Sequence, residues 1–125
     1  MILDTNALSA LAEKNPALLG QLKRTTRVAV TLISLGEFAF GIEGSRKHCE
    51  LQRWLDAFLE KAEVLSPDRG TVPFYAAIRM ELKREGTPIP ANDVWIAALA
   101  RQHDRKILSQ DHHFDLVTGV VRMGW

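Results

Sequence analysis

Met1-Ile2-Leu3-Asp4-Thr5-Asn6 is a three-residue apolar run stopped by three polar residues. It reads as a short buried strand feeding a turn, with an acid at the strand's carboxyl end. In parallel α/β sheets ligands bind outside that edge, where strands stop and loops begin. The pattern recurs near the other end of the chain, where Lys106-Ile107-Leu108 is followed by Ser109-Gln110-Asp111. Between the two stretches, short apolar runs alternate with longer segments of helical periodicity, which is the signature of an α/β sheet. Residues 27–30 and 63–65 read as further strands and 119–123 as a last edge strand. Helices are expected over 7–13, 16–24, 32–41, 46–62, 68–85 and 91–102. Pro16 suits a first helical turn with Asn15 as its cap, and Thr87-Pro88-Ile89-Pro90 cannot be helical. Residues 1–125 are thus expected to form a single α/β domain, with a mainly parallel four- or five-stranded sheet flanked by helices.

A chain of 125 residues has the size of one domain, and 46% hydrophobic against 25% charged residues argues against disorder. No apolar run approaches the ~18 residues of a membrane helix. The N-terminal residues do not read as a secretory leader. Cys49 is the single cysteine, which rules out an internal disulfide and points to a reducing, cytoplasmic setting. Lys and Arg number 16 against 15 Asp and Glu, a net charge of +1. That balance does not announce a nucleic-acid binder. If four carboxylates were sequestered around a cation, the remainder would be 16 against 11, or +5, so a phosphate-rich partner is not excluded.

Four acids stand out by position. Asp4 and Asp111 follow the two strands quoted above. Asp93 opens the helix that precedes the second of them, and Glu37 lies inside a mostly apolar helix that follows the second strand. Each has an ordinary structural role when taken singly. Asp4 and Asn6 could cap a helix, Asp93 could complement a helix dipole beside a capping Asn92, Glu37 could be a surface residue, and Asp111 could belong to a turn. Brought to one edge, four carboxylates would repel and resist ionising, so the cluster would need a cation. Oxygen ligands select Mg²⁺ or Mn²⁺, and the spacing of His103, His112 and His113 offers no zinc site.

Four motifs carry a family resemblance. They are Ile2-Leu3-Asp4-Thr5-Asn6, Ser34-Leu35-Gly36-Glu37-Phe38, Asn92-Asp93 ahead of Ile96-Ala97-Ala98-Leu99-Ala100, and Ile107-Leu108-Ser109-Gln110-Asp111-His112-His113-Phe114. In this order they resemble the PIN-domain ribonucleases, most of all the small stand-alone VapC-type toxins of type II toxin–antitoxin systems. The resemblance spans essentially the whole chain. It implies an Mg²⁺- or Mn²⁺-dependent endoribonuclease that hydrolyses RNA and leaves 5′-phosphate and 3′-hydroxyl ends. It makes Asp4, Glu37, Asp93 and Asp111 the catalytic and metal-binding set, with Asn6 and Ser109 as supports. Ser109 stands where the family often has Thr, and Asp115 is a second acid near Asp111, so the fourth ligand stays open between Asp111 and Asp115. The resemblance further implies a cognate antitoxin that occludes the site with a segment carrying a basic residue, and a homodimer. Lys23, Arg24, Arg46, Lys47, Arg79, Lys83 and Arg84 are candidate phosphate contacts. The stripes containing Trp54 and Phe58, and Phe74 and Ile78, read as core before partner groove.

The residues leave other chemistries open. A phosphoaspartyl phosphatase would use Asp4 as nucleophile but expects a second Asp where Asn6 stands. A phospho-acceptor domain would want a Lys at the carboxyl edge, whereas Lys106 opens its strand. An inactive interaction domain would have no need of the acidic set.

Overall fold

The computed structural model describes residues 1–125. Five strands, β1 (Ile2–Leu3), β2 (Ala29–Thr31), β3 (Glu63–Leu65), β4 (Ile107–Leu108) and β5 (Arg122–Met123), form one sheet in the order β3-β2-β1-β4-β5. Every pairing is parallel. Six helices surround it: α1 (Thr5–Ala12), α2 (Pro16–Leu22), α3 (Leu32–Glu43), α4 (His48–Leu59), α5 (Val72–Glu85) and α6 (Ala91–His103). A 3₁₀ turn runs from His112 to Leu116.

Neighbouring residues of a strand face opposite sides of the sheet, and two cores result. Ile2, Ala29 and Ile107 pack with Ile78, Leu82, Ile96 and Leu99 beneath α5 and α6. Leu3, Val30 and Leu108 pack with Leu8, Leu18, Phe38, Ile42 and Leu55 beneath α1 to α4. Strands of two or three residues suffice because helices cover both faces, so every residue of the inner strands β1, β2 and β4 is buried whichever way it points, while the edge strands β3 and β5 are only partly covered.

Local chemistry sets the boundaries. Asn15 Oδ1 accepts from the Ala17 and Leu18 amides at 3.0 and 3.2 Å, and Pro16 opens α2. Thr31 Oγ1 accepts from Ser34 N at 3.0 Å and starts α3. Gly86, with φ of 71°, ends α5 in the left-handed region. Several expected boundaries move. α1 begins at Thr5, directly after Asp4, so no separate turn intervenes. α5 begins only at Val72, because Asp68 Oδ1 accepts from Thr71 N and Thr71 Oγ1 at 3.1 Å and folds residues 68–71 into a capping loop. α6 is preceded by Pro90, not capped by Asn92, which lies inside its first turn. β5 shortens to two residues because Gly119, at φ of 79°, turns the chain. The 3₁₀ turn had no expected counterpart.

Candidate active site

In this strand order the chain leaves β1 in one direction to β2 and returns on its other side as β4. The crevice lies between the carboxyl ends of β1 and β4, the usual ligand position in such sheets. Asp4 follows β1 there and is 5% exposed. It occupies the N-cap position of α1, yet its side chain makes no capping bond. Its oxygens instead accept from Ser109 Oγ at 2.8 Å, Ser34 Oγ at 3.4 Å and Asn6 Nδ2 at 3.4 Å. The capping role that Asp4 could have taken on sequence grounds is therefore not the one it has.

Asn6 and Ser109 tie the two strand ends together. Asn6 Nδ2 donates to Ser109 Oγ at 3.2 Å, and Asn6 Oδ1 accepts from Gln110 N at 3.1 Å. Ser109 Oγ accepts from Asp111 N at 3.0 Å. Asp111 then caps the 3₁₀ turn, its Oδ1 accepting from His113 N at 2.9 Å. Glu37 on α3 and Asp93 in the first turn of α6 complete the group.

Charge links Asp4 to Asp111, Asp93 to Asp4 and Asp111, and Glu37 to Asp4 and Asp93. Burial pushes the Asp4 carboxyl above its usual range, partly opposed by the Ser109 hydrogen bond and reinforced by the charge of Asp111. Glu37 is raised by burial and then by Asp4 and Asp93. Asp93 is raised by burial, with Asp111 and Asp4 adding to it and His113 opposing. No Lys or Arg forms an ion pair with any of the four.

Two residues enter the site that sequence reasoning missed. Ser34 bridges Thr31 and Asp4; its position three residues before Glu37, on the same helical face, was the available signal. His113 Nδ1 lies 2.9 Å from Asp93 Oδ2 and 3.1 Å from Asp111 Oδ1, and the hydrogen bond to Asp93 raises its pKa. The ligand atoms of Asp93, Asp111 and His113 all fall within 4.8 Å of one another. Read from spacing, the three histidines speak only to zinc, and spacing does not show His113's contact with two carboxylates.

Asp115 is placed differently. Arg122 donates to it at 2.8 and 3.1 Å and His112 lies at 2.9 Å, so its carboxyl is held below the usual range. Of the seven candidate phosphate contacts none pairs with the four acids. Arg24 lines a cleft at the opposite edge of the sheet with Arg27, Arg105 and Lys106, and Arg79 and Lys83 line a hollow beside Pro88 and Ile89. Trp54, Phe58 and Phe74 pack partly buried against the two cores, as the core reading expected.

Asp4 is buried, Asp93 and Asp111 are half-buried and Glu37 is exposed, and none of them has a Lys or Arg partner; hard carboxylate oxygens so placed suit a divalent cation and fit the metal dependence of PIN nucleases. Residues 1–120 match the PIN domain family. Ribonuclease VapC1 of Haemophilus influenzae is 26% identical over 99% of this chain and 96% of its own length. The tRNA(fMet)-specific endonuclease VapC of Salmonella typhimurium is also 26% identical, with the same coverage of both chains. The solved structure of VapBC2 from Rickettsia felis, bound to a DNA fragment from its promoter, superposes with a TM-score of 0.88 at 25% identity, over 99% of this chain and 97% of that one.

Proposed function

The chain belongs to the PIN-domain family, and from that premise we infer that it is an endoribonuclease, the toxin of a toxin–antitoxin pair. It hydrolyses RNA phosphodiesters at Asp4, Glu37, Asp93 and Asp111, with Mg²⁺ or Mn²⁺ as the bound ion and residues 1–125 acting as one nuclease domain. The observation that carries this reading is the crevice itself: four acids, three of them with raised pKa values, and no Lys or Arg to neutralise them. Burying carboxylates unpaired is costly, and the cost is recovered when a cation binds.

With a divalent ion bound, the site would supply hydroxide from water at neutral pH and positive charge for the phosphate oxygens. The protein's own groups prepare for this. Ser109 and Ser34 hold the two oxygens of Asp4 from opposite sides, so the carboxylate does not reorganise on loading. Asn6 locks the α1 terminus to the loop after β4, fixing the separation of Asp4 and Asp111. His113 Nδ1 lies within hydrogen-bond reach of both Asp93 and Asp111, where a proton on the ring would offset their repulsion.

The antitoxin blocks the crevice in the resting cell, and the basic residue it inserts satisfies the same uncompensated charge. The toxin works as a homodimer in the cytoplasm. No helix is long and apolar enough to cross a membrane. The phospho-acceptor reading loses ground here, because Lys106 lines the far edge with Arg24 and Arg105, and the phosphatase reading still lacks a second Asp where Asn6 stands. Incubation of the purified chain with RNA in Mg²⁺, Mn²⁺ and chelator tests the reading. Cleavage that needs the ion and leaves 5′-phosphate ends is expected; RNA left whole in both ions refutes it.

A further inference from the structure

Beside the acids, α3 carries a feature that neither the fold nor the metal site explains. Leu32, Gly36 and Phe40 stand four residues apart and form one row along the helix. Leu32 is 50% exposed and Phe40 82% exposed, while Glu37 belongs to the adjacent row. Together with Thr5, Ile33 and Asn92 these residues line an open cleft of about 550 Å³. Glu37 is common to the cleft and to the acidic cluster, so the two are continuous.

Gly36 has no structural reason to be glycine. It lies within a helix, and a Cβ there would meet nothing within 4 Å. Glycine in a helix interior is less stable than alanine. What glycine does at this position is leave a notch between two apolar side chains. Thr5 lines the same cleft, and its buried hydroxyl has no hydrogen-bond partner. Asn92, next to Asp93, is exposed and offers both a donor and an acceptor. A flat ring with a polar edge fits such a surface. His113, between Asp93 and Asp111, and Arg122, paired with Asp115, are polar and offer no comparable apolar face.

We propose that the notch between Leu32 and Phe40 is a nucleobase subsite, which seats a nucleotide flanking the scissile phosphate by stacking on Phe40 and reads its edge through Asn92. The inference rests on the endoribonuclease reading. It makes Phe40 and Gly36 determinants of where RNA is cut. Stacking on an aromatic side chain tolerates any base, so the preference it imposes comes from the amide at Asn92.

The test uses a short RNA of defined cut site and the same RNA made abasic at either nucleotide flanking the cut. With the parent chain, one abasic substitution should lower kcat/KM on the order of 10-fold, within the range of base–aromatic stacking. F40A should lose a similar factor on intact RNA and cease to distinguish it from the abasic one, and F40W should restore the difference. G36A should melt higher than the parent yet cleave more slowly. The Mg²⁺-induced rise in melting temperature should be unchanged in F40A, showing the acids intact. Fluorescence anisotropy with the same oligonucleotides reads the subsite even where no RNA is cut, so a failed nuclease and a failed subsite are told apart. Equal handling of intact and abasic RNA by the parent overturns the proposal, as does parental activity in F40A. If F40A instead sediments as a smaller species and loses activity equally on both RNAs, the notch seats a second copy of the chain and the proposal falls.

Discussion

The two edges of the sheet carry charge in opposite ways. At the amino edge Glu63, which opens β3, meets Arg105 at 2.7 Å and Arg27 at 3.9 Å, and its carboxyl is held below the usual range, first by the Arg105 hydrogen bond. At the carboxyl edge Asp4, Glu37 and Asp93 are all pushed up, burial being the largest cause in each. A carboxylate with a basic partner helps to hold the chain together. A cluster of carboxylates with no Lys or Arg among them, the innermost buried, sets the fold against itself until a cation arrives. Asp115 sharpens the lesson: it lies four residues from Asp111, yet Arg122 makes it an acid of the first kind.

The largest effect should come from exchanging acids of the two kinds. Asp4→Asn alters charge with almost no change of shape, and should cut RNA cleavage on the order of 100-fold or more, since the ion supplies most of the electrostatic stabilisation. Glu63→Gln should leave cleavage near parental. Initial rates in saturating Mg²⁺ decide; similar losses in both would erase the distinction between edges. Next comes the nearer pair. Asp111→Asn should lose far more activity than Asp115→Asn, whose carboxylate is already occupied by Arg122 and His112. The reverse order would move the fourth ligand to Asp115.

A smaller effect is expected in melting curves. Mg²⁺ at tenfold its Kd should stabilise the folded chain by about 1.4 kcal/mol, a rise of a few degrees for a domain of this size. Asp4→Asn should melt higher than the parent in chelator and gain less from Mg²⁺ at matched ionic strength. Identical gains in the two proteins would place the ion away from Asp4.

The smallest effect is the pH dependence, and its sign differs between the edges. Folding raises the pKa of Asp4, Glu37 and Asp93 in the ion-free chain. Their contribution is therefore present below the unfolded value and is lost as pH rises through the folded one. Folding lowers the pKa of Glu63, so its contribution is present above the unfolded value and is lost as pH falls through the folded one. In chelator, the melting advantage of Asp4→Asn over the parent should grow from pH 4 to pH 7. The deficit of Glu63→Gln should shrink as pH drops below 4. Parallel curves for the two variants would deny that the edges differ.

Much of this was legible in the residues. Ile2-Leu3-Asp4 and Ile107-Leu108-Ser109 announce buried strands ending in polar turns, and alternating strand and helix periods then fix an α/β sheet. The acids could be brought to one edge because Asp4 and Asp111 follow strands, Asp93 starts a helix, and Glu37 lies on the helix that follows the second strand. What stayed hidden depends on side-chain directions that spacing does not encode. Asp4 could equally have capped α1, and only the hydroxyls of Ser34 and Ser109 draw its carboxylate into the crevice instead. The choice between Asp111 and Asp115 turns on Arg122, which reaches back from the last strand. His113 was invisible because a 3₁₀ turn, not a strand or an α-helix, carries it between two acids.

The hydrogen bond from Ser109 to Asp4 joins residues 105 positions apart. β1 sits in the middle of the sheet, and the strand that closes its second side is made almost last. A chain growing on the ribosome can form its first cores from the helices after β1 and β2, but its crevice has only one wall until residue 111 has emerged. The acidic group is thus incomplete until Asp111 has been added to the chain. The delay is written into strand order alone, and it gives a binding partner time to be ready for the newly closed site.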